Sequence, residues 1–246
     1  MNCLVTKLKG VVDNPNIPIL GELRIEFLAV ESPTKYSQEV TLEFTENTEV
    51  HVLNGTFVDE NLVDTGDTSK TVKTQNILYV SNGSTLCISN KYAIKVLNIY
   101  GDDNRNKFFN LSDLSYSTAL TTLDVMNTSV VGDLSDIENL VNVRSLNISR
   151  SSITGNISSL RKFANLLYFL CYYTNISGDV ESLAKGIWEA CGHKSSEDRG
   201  TSPSYIWIEG CSSRTNRITY KGIVRYEDSL KLRWDSAGNA YINELD

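Results

Sequence analysis

Histidine is nearly missing from this chain: 246 residues hold two, His51 and His193. Neither lies in a phrase that builds a nucleophile, a general base or a metal site, and no Gly-x-Ser-x-Gly, P-loop or His-Glu-x-x-His stretch occurs. No enzymatic activity and no cofactor are therefore expected. Apolar runs are short as well. None approaches the roughly 18 residues needed to cross a bilayer, and residues 1–9 lack the apolar core of a signal peptide, so neither membrane insertion nor a signal peptide is expected. Basic residues are outnumbered, 23 against 30 acidic, for a net charge of −7. Most of the excess sits in the first 90 residues, where 12 acids face 6 bases. With no basic stripe to neutralise phosphates, nucleic acid is excluded as the expected partner. Cysteine is present but odd in number, five in all, and reduced core thiols rather than disulfide staples are expected. Cys191, His193 and Cys211 lack the second close pair that a structural zinc site uses, so no metal is expected.

What the chain does have is a repeated glycine. Gly132, Gly155 and Gly178 stand 23 residues apart, each inside a related phrase: 130–135, 153–158 and 176–181. A fixed period of this length marks stacked supersecondary units. Apolar residues recur in register between the glycines: Ile137, Leu140, Val143, Leu146 and Ile148, then Leu160, Phe163, Leu166, Phe169 and Cys171. From the strand onward the runs read Leu120/Leu123/Val125, Val143/Leu146/Ile148 and Leu166/Phe169/Cys171, the leucine-rich pattern. Degraded copies flank them at Ile94/Leu97/Ile99 and at Ile206/Ile208, the latter followed by Cys211 at a buried ladder position. Asn110, Asp133, Asn156 and Asp179 share the position beside the glycines, where Asx side chains bond nearby backbone; turn chemistry accounts for them better than calcium does. The return arm is predicted to be helical for about two turns, with Ser135 and Glu138 at capping-box spacing.

The fold class is accordingly α/β: a short leucine-rich-repeat solenoid with a 23-residue period, an N-terminal all-β domain and a C-terminal β-hairpin cap. Residues 1–90 form the β domain, with period-2 alternation at 22–28, 39–44 and 49–53 and a long exposed loop at 54–75. Residues 91–211 form the solenoid, with an insertion near 192–204. Residues 212–246 form the cap, with 236–239 as the turn of a hairpin. Seven Asn-x-Ser/Thr triplets occur, five of them in the repeats; they follow from the repeat's use of Asn and Ser, and glycosylation is the weaker reading.

Solenoids bind through their strand face or their ends. Alternation places Tyr100, Met126, Tyr168, Leu170, Tyr172, Tyr205 and Trp207 outward, and these are the candidate partner-binding residues. Exposed aromatic patches mark contacts with protein or sugar. The competing expectation is that the 192–204 insertion or the C-terminal hairpin folds over this face.

Residues 152–160 and 174–184 resemble the short repeats of leucine-rich proteins of crAss-like and related phages of Bacteroides. The stretches 3–10 with 20–23, and 232–239, are similar to the N-terminal and closing modules of that group. The repeat count is low and the 192–204 insertion departs from the pattern. The resemblance implies a virion component: a head fibre, capsid decoration or tail accessory protein, made in the host cytoplasm and located on the particle. Its partners would be other virion proteins and a host-surface protein or glycan, with a homo-oligomer expected, a trimer among the symmetries. A bacterial surface adhesin or carbohydrate-binding module is the alternative, and an intracellular protein-interaction module the second.

Overall fold

The computed structural model of the chain describes residues 21–45, 47–58, 65–72, 76–102, 105–211, 216–225 and 229–244. It is mostly β-sheet with one long helix. Five strands run parallel in its largest sheet: Ile94–Asn98, Thr122–Asp124, Ser145–Asn147, Tyr168–Leu170 and Ile206–Glu209. Antiparallel strands extend that sheet at both sides to ten in all. Glu39–Phe44, Asn76–Val80 and Gly55–Phe57 follow Ile94–Asn98, while Ser229–Trp234 and Ala240–Glu244 follow Ile206–Glu209. A second sheet of five strands pairs Val131–Asp133, Ser152–Asn156, Asn175–Asp179 and Arg217–Tyr220 in parallel and turns back at Ile223–Val224. A third, antiparallel, holds Leu23–Phe27, Thr48–Leu53, Ser69–Val72, Thr85–Ile88 and Lys107–Phe108.

The short central strands follow from period-2 alternation. Leu123, Leu146, Phe169 and Ile208 are fully buried in register with one another, while their neighbours Thr122, Ser145, Tyr168 and Trp207 face the other side. Hydroxyls line the next turn inside. Thr128, Ser151 and Thr174 are buried and donate to the carbonyls of Val125, Ile148 and Cys171 at 2.6, 2.6 and 2.7 Å. Beyond Thr174 the polar partner is the side chain of Asn216, not Cys211, although Cys211 is buried as expected. Asn216 Oδ1 accepts from Thr174 Oγ1 and Ile176 N, and its Nδ2 donates to the carbonyls of Cys171 and Gly210.

The return arms correct one expectation. They are single 3-10 turns, Leu111–Leu114, Leu134–Ile137 and Ile157–Leu160, rather than two-turn α-helices. The reason is the apolar spacing. Leu134, Ile137, Leu140 and Val143 are buried at intervals of three, as are Ile157, Leu160, Phe163 and Leu166; a helix with three residues per turn stacks such positions on one face. Where the spacing becomes Val180, Leu183, Ala184, Ile187, the chain forms the α-helix Val180–Ala190 and buries those four. The cap also moves. The capping residue is Asp133 rather than Ser135: its carboxylate accepts from Ser135 N–H at 2.9 Å, and Asp136, rather than Glu138, accepts from Asp133 N–H at 2.8 Å.

Turn glycines are fixed by conformation and by space. Gly132, Gly155 and Gly178 have φ of +132°, +124° and +122°, which L-residues rarely adopt. A Cβ on Gly155 would stand 2.8 Å from the backbone nitrogen of Leu134.

Two further expectations fail. The 54–75 stretch contains the strands Gly55–Phe57 and Ser69–Val72. Ser69, Lys70 and Thr71 are exposed on an edge strand and only Val72 is buried, so no alternation betrays the strand. Cys87 is disulfide-bonded, against the expectation of reduced thiols throughout. Its Thr85–Ile88 strand packs against Leu23–Phe27 and the expected N-terminal stretch 1–20 lies outside the described residues. Cys171, Cys191 and Cys211 are not disulfide-bonded. No helix among the described residues is long and apolar enough to cross a membrane.

Candidate functional site

The strand face is extended at its edge, not covered. The C-terminal hairpin turns at Asp235, whose carboxylate accepts from Ala237 and Asn239 N–H, both at 2.9 Å. Its first strand pairs with Ile206–Glu209, placing Trp207 beside Lys231. Leu230, Leu232 and Trp234 point into the core, so Lys231 and Arg233 share the outer face with Trp207. The 192–204 insertion packs elsewhere. Ser196 is buried against the backbone of Trp234, with Ser196 N donating to Trp234 O at 3.1 Å. Arg199 lies 5.1 Å from the Trp234 ring and donates to the carbonyls of Leu166 and Tyr205 at 2.9 and 3.1 Å. Burial lowers the Arg199 pKa to about 10.

Of the seven candidate residues, four are brought together. Tyr168 and Trp207 are in register on adjacent strands, with Leu170 beside Glu209 in the next outward row. The Tyr205 and Trp207 rings are 6.4 Å apart, centroid to centroid. Lys231 Nζ lies 5.4 Å from the Tyr205 ring and 5.9 Å from the Trp207 ring, and Arg233 lies 5.5 Å from Tyr205. Arg233 in turn pairs with Tyr241 on the last strand. Tyr168 is 40% exposed and Tyr241 36%. Two donors in this cluster are shielded and have no acceptor among the described residues: Trp207 Nε1 and Arg233 Nε. An unmade hydrogen bond of this kind costs about 1–3 kcal/mol.

Tyr100, Met126 and Tyr172 form a different row, beyond the carboxyl ends of the strands, and are half-buried. Asx side chains shape it. Asn98, Asp124 and Asn147 each accept from the N–H two residues on, those of Tyr100, Met126 and Ser149, at 3.2, 3.0 and 3.2 Å. Burial raises the Asp124 pKa, and the Met126 N–H and the Asn147 amide oppose it. The row is thus partly built into the fold rather than presented outward.

Beside that row lies a cleft that the outward alternation does not reveal. Asn127, Arg150 and Tyr173 follow Met126, Ser149 and Tyr172 directly, and with Arg105 they line a cavity of about 320 Å³. All four have left-handed backbone: φ is 48° at Arg105, 56° at Asn127, 53° at Arg150 and 53° at Tyr173. Asn tolerates this region, but for Arg and Tyr it costs about 1–2 kcal/mol each. Arg105 is fixed by Nε and Nη2, which donate to Thr128 O at 3.1 and 3.0 Å, and by a contact to Ser152 Oγ at 3.3 Å. The Arg150 guanidinium stacks 5.2 Å from the Tyr173 ring. None of the four lining residues is acidic, in a chain of net charge −7.

A second cavity, of about 240 Å³, lies between the Leu23–Phe27 strand and the Leu111–Leu114 turn and holds charges that meet one another. Glu22 is 5% exposed and lies 3.4 Å from Arg24; burial raises its pKa. Lys91 donates to the carbonyl of Asp113 at 2.8 Å. Among the described residues no group of three or more His, Cys, Asp or Glu side chains is placed to hold a metal ion.

Lys231, Arg233 and Tyr241 were not among the candidates, although alternation about Leu230, Leu232 and Trp234 carries the signal for the first two. No family model matches this chain, and comparison with curated proteins and with solved structures finds no significant match.

Proposed function

We propose that this chain is a non-catalytic structural component of a phage particle: a head fibre, capsid decoration or tail accessory protein. In this reading its middle is a short leucine-rich-repeat solenoid. The N-terminal β part docks on the particle, and the strand face is presented to a partner. The parallel pairs Thr122/Ser145 and Ser145/Tyr168 join residues 23 apart in sequence, which supports the solenoid. The likeness of the 152–160 and 174–184 phrases to phage leucine-rich proteins supports the virion assignment. Assembly as a homo-oligomer, a trimer among the candidates, accords with the symmetry of surface proteins generally.

The observation that carries the binding role is the cluster of Tyr168, Tyr205 and Trp207 on the outer strand face, with Lys231 against the Tyr205 and Trp207 rings. Aromatic anchors dominate binding energy at protein contacts. The same features favour a second reading, a carbohydrate-binding module of a surface adhesin, because sugar rings stack on aromatics.

Mass spectrometry of purified particles is expected to find the chain in fixed proportion to the major capsid protein; its absence would overturn the virion reading. Tyr168→Ala combined with Lys231→Ala alters side chains that are not fully buried. It is expected to reduce binding of the purified chain to host cells at least tenfold, with an unchanged melting temperature. Undiminished binding removes the strand face from the account. A glycan array probed with the wild type and the double variant separates the second reading, which requires a signal that the variant loses.

A further inference from the structure

We propose that the cleft lined by Arg105, Asn127, Arg150 and Tyr173 is a binding site for an acidic saccharide, taken by its carboxylate or sulfate group. This site is distinct from the aromatic strand face. Four chemical features converge there. Two guanidiniums line a single cavity of about 320 Å³ with no acid among the described lining residues. Arg105 turns its Nε and Nη2 to Thr128 O, and at Arg150 a guanidinium is the group whose shape matches an oxyanion with two parallel N–H bonds. Arg105 is held in place before any ligand arrives, by its three hydrogen bonds to Thr128 O and Ser152 Oγ. A positioned donor loses little freedom on binding. Asn127 and Tyr173 add an amide and a phenol, groups suited to sugar hydroxyls. The cavity stands at the small end of the range for ligand sites, room for one or two sugar rings.

The backbone points the same way. All four lining residues occupy the left-handed region, and three of them, Arg105, Arg150 and Tyr173, are residue types that the region disfavours. Glycine would meet the backbone requirement without strain, as it does at Gly192 and Gly210 in the same chain. Placing arginine and tyrosine there aims their side chains into one cleft at a cost in stability, a pattern that marks binding sites. A polynucleotide phosphate is a poorer fit, because a chain of charge −7 repels a long polyanion outside the cleft. A single charged sugar unit meets only the cleft.

The test uses the full chain. Sodium glucuronate, glucose 6-sulfate, glucose and inorganic phosphate are titrated into it, with binding read from amide chemical-shift changes at Asn127, Arg150 and Tyr173. Glucuronate or glucose 6-sulfate is expected to saturate the shifts. Glucose is expected to bind at least tenfold more weakly. Arg150→Gln, at an exposed position, is expected to weaken binding of the charged sugar at least tenfold. Arg150→Lys should restore only part of it, because an ammonium cannot make the paired contact. Tyr168→Ala on the strand face is expected to leave this binding unchanged, so failure here and failure of the strand-face reading are separable. Binding of phosphate without either charged sugar would overturn the saccharide assignment. The absence of any shift, or equal binding by wild type and Arg150→Gln, would overturn the site.

Discussion

Lys107→Met is expected to flatten the pH dependence of this protein's stability. Lys107 is 1% exposed, and its ammonium donates to the carbonyls of Glu39 and Tyr100 at 2.6 and 2.9 Å, with the Phe27 ring 5.6 Å away. Burial lowers its pKa from 10.5 to about 7, and the charges of Asp102 and Glu39 recover only part of that. Between those two values the folded lysine is neutral while the unfolded one is charged, so unfolding takes up a proton and stability rises with pH. At full effect the slope is about 1.4 kcal/mol per pH unit. Because the native group is still half-protonated near pH 7, the gain between pH 7 and pH 9 integrates to about 2 kcal/mol.

Methionine fills nearly the same volume and cannot titrate. It also leaves two carbonyls without their donor, a loss of about 1–3 kcal/mol each, while removing the charge penalty. The absolute stability at one pH therefore does not discriminate; the slope does. Urea unfolding of both chains at pH 7, 8 and 9 should show the wild type gaining about 2 kcal/mol relative to Lys107→Met. Cys171, whose thiol pKa is raised well above 9.0 chiefly by burial, lowers stability only as pH climbs through 9, and both chains share it. Parallel curves for the two proteins would refute the assignment of a depressed pKa to Lys107.

Other expectations rest on steric and hydrogen-bonding facts. Gly155→Ala, at φ +124° and with a Cβ 2.8 Å from Leu134 N, should cost roughly 2–4 kcal/mol in chemical denaturation. Gly192→Ala, at φ +69° with nothing within 4 Å, should cost only the strain, about 1 kcal/mol; equal losses would show that the packing at Gly155 is irrelevant. Asn216→Ala, at 1% exposure, strips Ile176 N–H and the Cys171 and Gly210 carbonyls of partners. It should cost about 3 kcal/mol or more by the same measurement, and a loss under about 1 kcal/mol would mean that water replaces the amide.

Much of the architecture was legible because strands carry a period of two and buried turns a period of three. The burial of Leu123, Leu146, Phe169 and Ile208 and the turn between Trp234 and Ala240 follow from the residues alone. The type of return arm was misread although its signal was present: Leu134, Ile137, Leu140, Val143 keeps an interval of three, and only 180–187 shows the i, i+3, i+4, i+7 spacing of an α-helix. The Ser69–Val72 strand left no pattern, because an exposed edge strand needs no apolar face. The Cys87 disulfide could not be read from a chain with an odd number of cysteines. At the candidate site, Tyr168 and Trp207 were legible from alternation. The grouping of Arg105 with Arg150 was not, since it depends on left-handed turns that Arg residues seldom occupy.

Strands stacked in parallel register give each row of the sheet the same backbone and the same direction of side chains, so their geometry alone distinguishes no place on the surface. Distinction has to come from side chains that depart from their row. Across Val96, Thr122, Ser145, Tyr168 and Trp207 the outward residue changes from small to aromatic at the two strands nearest the C-terminal hairpin. There Lys231 and Arg233 add charge. Across Asn127, Arg150 and Tyr173 a turn that asparagine occupies without strain is given to residues that bear strain. Aromatic content and positive charge thus accumulate at two places, one at the hairpin edge of the sheet and one beyond the carboxyl ends of its strands. A protein selected only for a stable stack would have no use for either departure: the hairpin edge leaves two donors without acceptors among the described residues, and the cleft holds arginine and tyrosine where glycine would fit. Both departures cost stability and neither improves the core, which is the pattern expected when a surface has been shaped by what it binds.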